Sequence, residues 1–125
     1  MIRELSLIAA AGAVGTLARF GLHHLVQRLT GSTFPLGTLI VNVLGCFLFG
    51  VVWILAEERM AISAQTRTIV LIGFMGAFTT FSTFAFDTGA YLRDSNWQSA
   101  FANLLLQNLL GITAIFAGFA AARHL

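Results

Sequence analysis

Gly73 to Phe84 reads GFMGAFTTFSTF, in which Thr79, Thr80, Ser82 and Thr83 place four hydroxyls in five positions, interleaved with Phe81 and Phe84. The stretch sits inside a run otherwise apolar enough to cross a bilayer, where a lipid-facing helix would carry Leu and Val. Hydroxyls at this density compete with the backbone for hydrogen bonds, and each glycine costs a helix roughly 1 kcal/mol relative to alanine. An interruption of the helix is therefore expected between Gly76 and Thr80. Main chain freed at bilayer depth is tolerated only where protein buries it or a polar cavity accepts it. The stretch thus reads as a site, with hydroxyls beside main-chain groups released from helical bonding.

Other polar residues lie within apolar runs. In GTLIVNVLG, Thr38, Asn42, Gly45 and Phe49 recur at helical spacing and fall on one stripe. The Asn42 amide offers two N–H donors and an acceptor, usable by an anion or by a neighbouring helix. In GAVGTLARF, Gly12, Gly15, Arg19 and then His23 share a face, small residues first and cationic ones after. An arginine inside a span costs about 2.5 to 3.5 kcal/mol on insertion scales and is by default a functional candidate; a structural, snorkelling arginine is the plainer reading. His23 and His24 fall near a helix end, where interfacial histidines are ordinary. Asp87 is the one acidic residue well inside a span and reads as a cation or proton site, or as a partner for an arginine. Toward the C-terminus, Asn103, Gln107, Asn108, Gly111 and Thr113 supply more amides than helix packing needs, and the choice between Gln107 and Asn108 as a lining residue stays open.

These residues must be positioned by helices in a membrane. Hydrophobic residues make up 58% of the 125 and charged residues 10%, against roughly 25% charged in a soluble domain; mean hydropathy is +0.86. Four apolar stretches, about 4–27, 34–56, 68–91 and 98–122, are each long enough to cross roughly 30 Å of hydrocarbon. Continuous runs such as LLLQNLLGITAIFAGFAA do not alternate as barrel strands must. The expected fold is an all-α membrane protein, one four-helix domain over residues 1–125, with the third helix broken mid-span. The first helix is expected to be retained rather than removed as a signal peptide, because no polar cleavage region follows it.

Composition also excludes. The formal charge of +2 arises from seven arginines and no lysine, scattered along the chain, so there is no basic stripe for nucleic acid. Cys46 is the single cysteine, which rules out an intrachain disulfide and a cysteine-based metal site; a small buried hydrophobe is the expected role.

GAVGTLAR, GTLIVNVLG and GFMGAFTTFSTF, in that order in a short chain with four spans, resemble the Fluc (CrcB) family of small bacterial fluoride channels, and the similarity runs from about Gly12 to the end of the chain. The resemblance implies a passive, fluoride-selective channel in the bacterial inner membrane that exports fluoride and lowers its cytoplasmic level. It also implies an antiparallel, dual-topology homodimer with two pores and one structural sodium ion at its centre. On the family pattern Asn42 is the pore asparagine, and Phe81 and Phe84 turn ring edges to the anion. Thr38, Ser82 and Thr83 supply hydroxyls near the pore, and Arg19 matches the first-helix arginine. Main-chain carbonyls of Gly76 and Thr79 would hold the sodium. The fourth helix departs from the pattern, offering amides where the family often has an aromatic or hydroxyl residue.

The chemistry suits that resemblance. Fluoride is small and tightly hydrated, so a pore must replace water with donors such as the Asn42 amide, the hydroxyls and the positive rim of an aromatic ring. Weak edge donors favour passage over trapping. With four spans, Arg3, Arg59, Arg67 and Arg123 fall on one side and Arg28 and Arg93 on the other, a bias too slight to fix one orientation. Two rival classes are a proton-coupled small multidrug-type transporter and a membrane enzyme. The first would need a glutamate in its first span, and here it would have to use Asp87. The second would need Ser82 or Thr83 activated by a histidine, yet His23, His24 and His124 all lie near span ends.

Overall fold

A computed structural model describes residues 1–125. The chain is all-helical, and four helical stretches are long and apolar enough to cross a membrane: Ile2–Thr30, Leu36–Glu57, Ala64–Arg93 and Trp97–Arg123. Each exceeds the apolar run expected from the sequence or shifts its ends by a few residues, because helices continue past the hydrocarbon into their polar ends.

Local sequence sets the boundaries. The first helix stops where Gly31 takes the left-handed conformation, φ 57°, and its N–H returns to the Gln27 carbonyl. Gln27 then staples the turn: its amide nitrogen donates to the Ser32 carbonyl at 2.9 Å, and its oxygen accepts from the Gly37 N–H at 2.8 Å. Pro35, which lacks an N–H, stands just before the second helix. Ser63 caps the third helix by accepting from the Thr66 N–H, and Asn96 caps the fourth by accepting from the Ser99 N–H. At one end of the molecule Arg123 holds Glu58 through two bonds of 2.9 and 2.7 Å. That guanidinium keeps the Glu58 carboxyl below its ordinary range.

The third stretch is irregular. It starts as an α-helix over Ala64–Thr68, widens to a π-helix over Ile69–Met75 and returns to α over Gly76–Phe78. Thr79 and Thr80 are extended, with φ,ψ of −81°,158° and −148°,103°, and helix resumes at Phe81–Arg93. The π segment was not foreseen from sequence. Its glycine explains how it packs: a β-carbon on Gly73 would sit 2.9 Å from the Ile8 carbonyl oxygen and from the Ala11 methyl. From the other side, a β-carbon on Gly15 would overlap the Phe74 carbonyl. The first helix therefore lies directly on the π segment, as small residues permit.

The second and fourth helices pair equally closely. A β-carbon on Gly50 would come 2.5 Å from the Ile115 carbonyl oxygen, and one on Gly118 would overlap the Phe47 carbonyl. Large apolar side chains such as Leu17, Phe20, Leu105, Leu109, Ile112 and Phe116 point outward and are exposed. An outer surface of this kind suits lipid or a partner helix rather than water.

Candidate functional site

The extended Thr79–Thr80 link is held by a side chain from the second helix. The Thr80 N–H donates to Asn42 Oδ1 at 2.8 Å, and Asn42 Nδ2 donates back to the Thr80 carbonyl at 3.2 Å. The asparagine supplies to an extended residue the two bonds that a helix would have supplied. Thr80 Oγ1 then starts the next helix by accepting from the Thr83 N–H, while donating to Thr83 Oγ1 at 2.9 Å.

Two cavities share Thr80 in their linings. One, of about 350 Å³, is lined by Asn42, Cys46, Thr79, Thr80, Phe81, Phe84, Gln107 and Asn108, among others. The other, of about 230 Å³, is lined by Thr16, Arg19, Phe20, His23, His24, Thr38, Val41, Thr80 and Thr83. The stripe read from GTLIVNVLG is thus divided: Asn42, Gly45 and Phe49 face the first cavity and Thr38 the second. Arg19 and His23 come to the second cavity together, as their shared helix face predicts, and His24 joins them.

Donors in the site are unequally committed. Thr38 Oγ1 donates to Asp87 Oδ2 at 3.4 Å, and Thr79 Oγ1 donates to the Met75 carbonyl at 3.0 Å. Asn42 commits both amide protons, one to Thr80 and one to Gln107 Oε1 at 3.1 Å. The hydroxyl proton of Thr83 remains available, since its oxygen is the acceptor for Thr80. Arg19, half-buried, takes part in none of the ion pairs. Ser82 is exposed and lies 3.4 Å from Thr80 Oγ1, outside the lining of either cavity.

The two phenylalanines differ. Phe84 is buried and Phe81 is 78% exposed, and their rings pack edge to face with centroids 5.4 Å apart. One ring of such a pair turns its positive rim toward the other's face. Next to them, the carbonyls of Gly76 and Thr79 lose their helical donors, because the Thr80 N–H has turned to Asn42 and the Thr83 N–H to Thr80 Oγ1. Such free carbonyls are hard oxygen ligands of the type alkali and alkaline-earth cations accept.

Four residues escaped sequence reasoning or were left open. Gln107, buried at 9% exposure, bonds Asn42, whereas Asn108 is exposed and donates to the Leu104 carbonyl at 2.7 Å. Asn103 is fully buried and donates to Thr88 Oγ1 at 2.9 Å. Cys46, expected to be a buried hydrophobe, is half-buried and lines the larger cavity. The signal for Gln107 was present in the spacing of Asn103, Gln107, Gly111, Ala114 and Gly118, a stripe of amides and small residues at three- and four-residue intervals. All five are buried.

Four apolar helices, an extended link in the third and two polar-lined cavities sharing one threonine define a multi-pass membrane protein of the channel or transporter class. The family profile described as "CrcB-like protein, Camphor Resistance (CrcB)" matches residues 6–119. The chain belongs to that family. It is 58% identical over 119 residues, 95% of each chain, to the "Fluoride-specific ion channel FluC" of Nitrosococcus oceani. It is 52% identical over 123 residues, 98% of each chain, to the protein of the same name from Solidesulfovibrio magneticus, and 44% identical over 122 residues to that of Nitratidesulfovibrio vulgaris.

Proposed function

We propose that this chain is a passive fluoride-selective channel of the bacterial inner membrane, which exports fluoride and lowers its cytoplasmic concentration. The observation that carries the reading is that two cavities with polar residues in their walls share Thr80, in a chain whose near-full-length relatives bear the name of fluoride channels. Arg19 draws the anion into the smaller cavity, beside the Thr38 and Thr83 hydroxyls. Ser82 borders the start of the helix that follows. Asn42, its amide protons held by Thr80 and Gln107, lines the larger cavity with the rims of Phe81 and Phe84, which replace water by donors too weak to trap the ion. The activity is transport and not catalysis, in keeping with the family and with relatives named as fluoride-specific ion channels. A proton-coupled multidrug-type transporter is disfavoured, since Glu4, Glu57 and Glu58 all lie at helix ends.

The working unit in this reading is an antiparallel homodimer. Thr79–Thr80 sits near the middle of the Ala64–Arg93 stretch, so a twofold axis in the membrane plane would bring two such links face to face at the bilayer midplane. The carbonyls of Gly76 and Thr79, without their helical donors, would together hold one structural sodium ion there. Exposed Phe81 would then meet the partner or lipid.

Purified protein in liposomes loaded with fluoride, chloride or nitrate tests the function. Release of fluoride alone is expected; release of all three, or of none, would overturn it. A C-terminal tag probed with a membrane-impermeant label tests the assembly. Comparable labelling on both faces is expected, and labelling on one face only would remove the antiparallel dimer and the shared cation site together.

A further inference from the structure

We infer that His23 is a proton-operated charge in the anion's entry cavity: when protonated, it turns the net charge around that cavity from balanced to positive and speeds fluoride entry. The inference rests on the fluoride-channel reading above and adds to it a response to pH.

The cavity of about 230 Å³ takes ionisable side chains from the first helix alone, namely Arg19, His23 and His24. The second helix gives it Thr38 and Val41, the third stretch Thr80 and Thr83, and the fourth helix nothing. One carboxylate stands behind this lining. Asp87 accepts from Thr38 Oγ1 at 3.4 Å and lies within Coulombic reach of His23. With both imidazoles neutral, the guanidinium of Arg19 and the carboxylate of Asp87 sum to zero. A histidine therefore decides the sign, and histidine is the side chain whose ordinary titration falls between about pH 5 and 8.

The two histidines are placed differently. His24 is exposed, its Nδ1 bonds the Phe20 carbonyl at 2.8 Å, and its ring packs on that of Phe20 with centroids 4.1 Å apart. Solvent weakens a charge held in that position. His23 is half-buried and lies against the start of the second helix, where a β-carbon on Gly37 would sit 2.8 Å from His23 Nδ1 and 2.7 Å from the His23 carbonyl oxygen. Only glycine permits that approach, and it sets the imidazole one residue from Thr38. The Gly37 N–H is already given to Gln27 Oε1 at 2.8 Å, so a proton added to the imidazole breaks no bond there. Charging His23 thus changes the field in the cavity and leaves the packing in place.

A cleft lined by one sign of charge raises counter-ion concentration and on-rate by about 10- to 1,000-fold, and a single added charge belongs at the bottom of that range. Fluoride efflux from liposomes holding the full chain should therefore rise about three- to tenfold from about pH 8 to about pH 5.5 at low salt. The rise should shrink toward 0.15 M ionic strength. Protein-free liposomes at each pH set the baseline, because neutral hydrogen fluoride crosses lipid. His23→Gln should hold efflux near its alkaline level at every pH, and His23→Lys, a fixed cation, near its acid level at every pH. A residue that only packs would not give two flat profiles of opposite height. The rival is Asp87, whose own loss of charge in acid would also leave the cavity positive. His24→Gln and Asp87→Asn should both keep the rise. A rise that survives in folded His23→Gln would overturn the assignment, as would one lost in His24→Gln or Asp87→Asn, or a flat profile in the unaltered chain. Should neither His23 variant fold, the His24 and Asp87 variants decide by elimination. Absence of fluoride efflux from the unaltered protein at every pH would instead overturn the channel reading itself.

Discussion

The cavity of Arg19, His23, Thr38 and Thr83 is walled by a fixed cation, imidazoles and hydroxyls, whereas the cavity that shares Thr80 with it is walled by amides and phenylalanine rings. The first can attract an anion that still carries water, since a half-buried guanidinium acts over several ångströms without tight contact. The second offers short-range donors only, so it suits an ion that has shed water. In the proposed channel, attraction and dehydration would fall to different walls, and the residue shared by both is a threonine clamped by Asn42. Substitutions on the two sides should therefore differ in size and in salt dependence.

Asn42→Asp should have the largest effect. A carboxylate there would face the Thr80 carbonyl and Gln107 Oε1 with no proton to give, and would stand in the anion's way. At about 4 Å and an effective dielectric near 20, like charges repel by about 4 kcal/mol. Fluoride efflux should fall by at least about a hundredfold; a folded variant with near-normal efflux would break the contrast between the two cavities.

Phe84→Ile and Phe81→Ile should come next. Each removes one ring edge and keeps apolar bulk, and aromatic pair geometry is worth about 0.5 to 1.5 kcal/mol, which predicts efflux slowed roughly two- to tenfold. Phe84, buried, should also lower the melting temperature more than Phe81, which is largely exposed. Equal stability losses would mean that Phe81 is as enclosed in the working assembly as Phe84.

Arg19→Gln should be the mildest and the one that depends on salt. Efflux should drop by a few-fold at low ionic strength, and the deficit should shrink near 0.15 M, where the Debye length is about 8 Å. Efflux measured across a salt series checks this. A deficit independent of salt would show that Arg19 contacts the ion directly, and the two cavities would then differ less than their linings suggest.

Sequence alone determined the four apolar helices, because lipid leaves the backbone no other partner than itself, and that constraint is written in hydropathy. It also marked GFMGAFTTFSTF as abnormal for a span and placed Arg19 with His23 and Asn42 with Gly45, since helical spacing fixes which residues share a face. Identity across nearly the whole chain then placed it in its family. Spacing cannot say which way a face is turned. Gln107 and Asn108 are adjacent in sequence and about 100° apart around the helix, so choosing between them needed the azimuth of the fourth helix. Tertiary packing decided that azimuth, through Gly118 against Phe47 and Gly50 against Ile115. The same packing brought Asn42 to Thr80 across 38 residues. It thereby committed the amide protons that the sequence had offered to an anion and left those of Gln107 free. Hydrogen-bond capacity is a property of the residue, but which capacity remains unused depends on what the fold sets beside it.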